Sequence, residues 1–186
     1  MIKKNEKFRN RKNVFNRTIF LVLLLLYLAG VFIGCSFAIK NSHNLDFVKS
    51  VTLTSNLSET LNPVDFSRYR LFFIRDILCI ISIITLKNSG VLKGLCVCVP
   101  FIAAVQNGSI CISDYRTGTG VYEIITGYCL RNTASAFMII IYCTVIVQYI
   151  ITGREDRKEE LRKTVVYISG ILLIYILDYT IKNMFR

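Results

Sequence analysis

Apolar residues in this chain come in long blocks separated by short polar breaks, and the blocks predict membrane-crossing helices. The run "TIFLVLLLLYLAGVFIGCSFAI" (Thr18–Ile39) has 22 residues without a charge. As a helix it measures about 33 Å, enough for a hydrocarbon core of roughly 30 Å. "TASAFMIIIYCTVIVQYIITG" (Thr133–Gly153) supplies 21 more. Three further blocks are interrupted. Leu71–Leu86 is broken by Arg75-Asp76, Val91–Ile112 has Lys93 at its entry and Pro100 inside, and Thr164–Ile181 carries Asp178 near its end. A proline inside a membrane helix is tolerated when neighbours satisfy the carbonyl it frees.

The breaks are as informative as the blocks. Residues 40–70 are rich in Ser, Thr and Asn and read as one external loop. Within it Asn62-Pro63-Val64-Asp65 is a helix start, with Asn as cap, Pro at the first position and a carboxylate in the first turn. The helix it opens runs into Leu71–Leu86, and the first turns of that span are expected in the headgroup layer with their arginines snorkelling. "KNSG" (Lys87–Gly90) and "SDYRTGTG" (Ser113–Gly120) are turns. Val121, Ile124, Ile125, Tyr128 and Cys129 then share one helical face, with Glu123, Thr126 and Arg131 off it. Residues 121–132 therefore read as an amphipathic helix, interfacial or re-entrant. The expected fold is all-α: one integral domain, a polytopic membrane helix bundle of five transmembrane helices plus this amphipathic one.

Composition fits that reading, with 53% hydrophobic residues, 19% charged and a mean hydropathy of +0.50. The net charge of +11 raises nucleic acid as a partner, but the charges sit where topology explains them. Lys3, Lys4, Lys7, Arg9, Arg11, Lys12 and Arg17 precede the first block, and "REDRKEELRK" (Arg154–Lys163) lies between the last two. Basic clusters beside spans mark cytoplasmic flanks, so five spans place the N-terminus inside and the C-terminus outside. The partner is the lipid bilayer of the cell membrane, not nucleic acid.

The stretch "YLAGVFIGC" (Tyr27–Cys35) has two readings. Its last four residues resemble the cleavage box of a bacterial lipoprotein, whereas Gly30 and Gly34 form G-x-x-x-G, which lets two membrane helices meet backbone to backbone. A leader's apolar core runs about 7–15 residues, and here the run continues through Ser36-Phe37-Ala38-Ile39. Gly30 and Gly34 therefore read as a helix-packing face. The partner helix is internal or belongs to another protein, and a homo-oligomer is one expectation.

Catalytic chemistry is not readable. The seven cysteines lie mostly in apolar runs without C-x-x-C spacing, and the only histidine, His43, sits in the polar loop. No metal or cofactor is expected, because no ligand cluster, nucleophile–base pair or phosphate-binding glycine loop is present. Ionisable residues within membrane segments are functional candidates by default: Lys93, Glu123, Arg131 with its neighbour Asn132, and Asp178. For Asp178, Lys182 one turn later offers a local partner.

The order of features resembles the stage II sporulation protein M family over nearly the whole chain. A basic N-terminus, a G-x-x-x-G span, a polar external segment, a span, Lys93-Gly94 opening the next span, an interfacial helix entering a further span, a charged loop and a last span follow one another. "LAGVFIG" (Leu28–Gly34), "LKGLCVCV" (Leu92–Val99) and "GVYEIITGYCLRN" (Gly120–Asn132) carry the likeness. The resemblance implies Gly94 as a further packing glycine and a membrane scaffold without enzymatic activity. It implies peptidoglycan hydrolases of the engulfment machinery as partners, recruited at the sporulation septum. The family's distant similarity to exporter permeases implies a transporter subunit as the second reading.

Overall fold

The computed structural model describes residues 16–40, 66–116, 130–153 and 157–184. Among them every regular element is helical: α1 (Arg17–Lys40), α2 (Phe66–Asn88), a 3-10 turn (Lys93–Val97), α3 (Cys98–Arg116), α4 (Leu130–Thr152) and α5 (Arg157–Met184). Most of the external loop and residues 121–129 of the amphipathic stretch, Glu123 included, lie outside the described residues.

Helix boundaries follow local chemistry. Asn16 caps α1, its Oδ1 accepting from the backbone N–H of Thr18 and Ile19 at 3.1 and 3.3 Å, which satisfies donors that a helix start leaves over. After α4 the chain turns at Gly153, whose φ of 63° is the left-handed conformation glycine adopts without strain. Several boundaries differ from the sequence reading. Lys87 and Asn88 of the expected turn close α2, and α3 runs on to Arg116, so Ser113–Arg116 are helical where a turn was expected. Leu130–Asn132 belong to α4 instead of the amphipathic stretch. In addition, α5 starts at Arg157, so most of the charged loop is helical, with Glu159 and Glu160 in the first turn where the helix dipole favours carboxylates.

Four helical segments are long and apolar enough to cross a membrane: Arg17–Lys40, Lys93–Ile112, Arg131–Thr152 and Lys158–Ile181. This is the architecture of a multi-pass membrane protein. The count is one fewer than expected because α2 falls short. Every 18-residue window of α2 holds at least three of Arg68, Arg70, Arg75, Asp76 and Lys87, against the two a span carries.

Pairwise contacts set the directions of the helices. Gly30 meets Phe101 and Ala104, Gly34 meets Val105, and Gly108 meets Val31 and Cys35, so α1 and α3 run the same way. Arg75 bonds Asn107 and Cys96 bonds the Ile83 carbonyl, so α2 runs against α3. Arg131 pairs with Asp178 while Tyr142 bonds Thr164, so α5 runs against α4. Tyr175 bonds Asp76 while Glu160 pairs with Lys87, so α5 also runs against α2, and directions alternate from α1 to α5. The core between them is built from Leu23, Ile80, Ile83, Cys96, Ile140, Tyr142, Cys143, Ile146 and Ile171, all nearly without exposure.

The closest approach is between α1 and α3. A Cβ on Gly30 would stand 2.8 Å from both the Ala104 Cβ and the Phe101 carbonyl oxygen, and one on Gly34 would run into the Val105 carbonyl. Gly108 answers from α3, where a Cβ would strike the Val31 carbonyl. Across the seam the Ser109 hydroxyl donates to the Gly34 carbonyl at 3.2 Å, and the Cys35 thiol points to the Gly108 carbonyl at 3.5 Å. The partner of the G-x-x-x-G face is thus α3 of the same chain. Gly94 differs: a Cβ there meets no described atom within 4 Å, so its expected packing role is not seen. Pro100 sits at the 3-10-to-α junction, and the thiol of Cys143 on α4 donates to the Cys96 carbonyl, four residues earlier, at 3.4 Å.

Candidate functional site: a buried chain of paired charges

Near the middle of α2, Arg75 and Asp76 turn into the bundle. Asp76 has no solvent exposure. Its Oδ1 accepts from Arg75 Nε and Nη2 at 3.0 and 2.7 Å, and its Oδ2 accepts from the Tyr175 hydroxyl on α5 at 2.7 Å. Arg75 Nη1 donates to Asn107 Oδ1 on α3 at 2.5 Å, and Asn107 Nδ2 donates to the Tyr27 hydroxyl on α1 at 2.8 Å. Four helices thus contribute to one network around a carboxylate that low-dielectric surroundings would otherwise strongly disfavour.

Toward the start of α4 and the end of α5 the network continues. Arg131 is buried, its Nη1 lies 3.5 Å from Asp178 Oδ2, and its guanidinium lies over the rings of Phe72 and Tyr175 at 5.0 and 5.3 Å. Tyr175 links the two pairs, giving its ring to Arg131 and its hydroxyl to Asp76. Beside Arg131, Asn132 is 3% exposed, and neither Oδ1 nor Nδ2 has a hydrogen-bond partner among the described residues. The opposite end of the bundle holds a second set of charges. Lys87 on α2 pairs with Glu160 on α5, and Lys163 pairs with Glu159 at 2.8 Å and donates to the Tyr149 hydroxyl.

The structure brings together two of the sequence candidates, Arg131 and Asp178, and buries Asn132 beside them. Asp178 is held by Arg131, so the local pair with Lys182 is not needed to explain it; the side chain of Lys182 is not described. Lys93 opens the 3-10 turn at the other end of the bundle. The sequence reading missed Arg75, Asp76, Tyr27, Asn107 and Tyr175. It put Arg75 in the headgroup layer, whereas the structure turns it inward, because snorkelling serves a residue near a span end and Arg75 stands at mid-helix. The sequence carries no signal for that depth, since in the apolar block Leu71–Leu86 Arg75 stands only about a turn from the start.

Magnitudes show why these charges matter to α2. Its eleven Leu, Ile and Phe residues between Leu71 and Leu86 favour insertion by roughly 3–7 kcal/mol, while Arg75 and Asp76 oppose it by roughly 5–7 kcal/mol. Over Leu71–Leu86 the two contributions are of similar size before any charge nearer the helix ends is counted, and groups on α1, α3 and α5 complete the network around Arg75 and Asp76.

Comparisons of the sequence with known protein families and curated proteins, and of the fold with solved structures, found no match.

Proposed function

We propose that this protein is a non-enzymatic membrane scaffold that anchors peptidoglycan-degrading enzymes at the septum during engulfment of a forespore. The observation that supports it best is the state of the buried charges. Arg75, Asp76, Arg131 and Asp178 are taken up by one another and by aromatic and amide partners, an arrangement suited to holding helices together. The likeness of Leu28–Gly34, Leu92–Val99 and Gly120–Asn132 to the stage II sporulation protein M family supplies the partner class and the location.

In this reading all five helices cross the bilayer, with the N-terminus inside and the C-terminus outside. Supporting it, α1 and α3 run the same way, so two crossings by them require a return between, and α2 is the described helix that runs back. Residues 40–70 then face the wall enzymes. Deleting the gene in a spore-forming host should arrest cells with a septum that fails to curve, while the purified protein cleaves no peptidoglycan. Normal engulfment in the deletion strain refutes the scaffold.

The second reading is a membrane subunit of an ATP-driven exporter. It is favoured by the polar groups that lead from Asp178 and Arg131 to mid-helix at Asp76 and Asn107. Co-purification with an ATPase, in place of wall hydrolases, selects it.

A further inference from the structure

We propose that α2 keeps its place across the membrane only when α3 and α5 receive its polar groups, so that α5 acts as a latch that closes the bundle. The inference rests on the five-crossing arrangement and goes beyond it: it names what holds the least apolar helix in place. Three observations carry it. First, α2 is the described helix whose charges exceed what a span carries. Second, an isolated α2 can pair Arg75 with Asp76, but hydrocarbon offers nothing to Asp76 Oδ2 or Arg75 Nη1, and each unsatisfied group there is strongly unfavourable. In the bundle Tyr175 on α5 serves the first and Asn107 on α3 the second, at 2.7 and 2.5 Å. Third, Lys87 at the other end of α2 is also held by α5, through Glu160, so α5 grips α2 at two depths.

The failure state is defined by topology. If α1 crosses and α2 does not, the turn after α2, with Ser89 in it, is left outside the cell, and α3 to α5 are inverted. Access of an impermeant thiol reagent to Ser89→Cys in the full chain therefore reports the state of α2, with the parent's seven cysteines as background. In the otherwise native chain Ser89→Cys should be protected in intact cells and label once they are opened. Labelling in intact cells at this step means that the five-crossing arrangement itself is wrong. With Asn107→Leu and Tyr175→Phe together, external labelling should rise roughly tenfold or more, since even one of the two lost hydrogen bonds to charged groups is worth that much. The same pair placed on Arg75→Leu/Asp76→Leu, where α2 carries no mid-helix charge for Asn107 or Tyr175 to satisfy, should leave Ser89→Cys protected. No rise in the first background, or an equal rise in both, overturns the latch. The Arg75→Leu/Asp76→Leu background separates it from general misfolding, since misfolding exposes Ser89→Cys in both.

Discussion

Replacing Gly34 by alanine gives the sharpest test of the α1–α3 seam, because two effects of known sign oppose each other. Inside a helix, alanine is favoured over glycine by about 1 kcal/mol. A buried Gly34 with room to spare would therefore be stabilised by the change. The structure gives no such room: the new Cβ runs into the Val105 carbonyl, a backbone atom that no rotamer change can move away. Restoring ordinary contact needs a separation on the order of 1 Å, and a gap of that size forfeits a quarter to a half of each dispersion contact it opens. Overpacking of this kind costs about 1–3 kcal/mol, and a clash with backbone belongs in the upper part of that range. Less the helix gain of about 1 kcal/mol, about 1–2 kcal/mol remains, which lowers Tm in a mild detergent by about 2–8 °C for a chain of this size. Gly90→Ala is the control, since Gly90 lies outside the helices and a Cβ there meets no described atom within 4 Å. Gly108→Ala should destabilise in the same way, and the double variant should lose less than the two single losses combined, because one separation makes room for both methyl groups. A Gly34→Ala protein as stable as Gly90→Ala, or more stable, refutes the close approach, and strictly additive losses refute the shared seam.

Two further predictions concern polar contacts. Cys143→Ala removes the thiol that points to the Cys96 carbonyl and should lower stability by about 1 kcal/mol, while Cys143→Ser, which keeps a donor, should recover most of it in the same thermal assay. For the pair at the other end, a double-mutant cycle of Lys87→Met and Glu160→Gln should give a larger coupling energy than one of Lys163→Met and Glu159→Gln. The first pair is largely buried while the second is about a third exposed, at 9% and 13% against 29% and 36%, and exposed pairs are worth little. Equal couplings refute the ranking.

Long apolar runs are legible because a helix needs about 20 apolar residues to cross hydrocarbon whatever its neighbours do. Thr18–Ile39 and Thr133–Gly153 needed nothing else. Gly30 and Gly34 were legible as a face, since their spacing is a property of one helix. Their partner Gly108 was not, because it lies more than seventy positions away and only the parallel placement of α3 brings it near. The same reason hid the interior network. Asp76 and Tyr175 are 99 positions apart in the chain, and an Arg-Asp dipeptide in an apolar block reads equally as a span end or as a buried pair until its depth is known. Arg131 stands out in the sequence as a charge within a membrane segment, but its partner does not: the partner the sequence offers for Asp178 is the nearest one, whereas the structure supplies Arg131 from an antiparallel helix.

The buried charges come in opposite, adjacent pairs, Arg75 with Asp76 and Arg131 with Asp178, and this bears on how the bundle responds to an energised membrane. A lone charge carried across 100 mV changes energy by about 2.3 kcal/mol, enough to bias a conformational equilibrium nearly fiftyfold. An ion pair whose members share one depth moves no net charge when its helices shift, so the electric field has almost nothing to pull on. Paired in this way, these four charges offer a membrane potential little net charge to act on. Neutralising a single member, as in Asp76→Asn, would leave Arg75 as an uncompensated charge and give the helix it sits on a sensitivity to voltage that the native protein lacks.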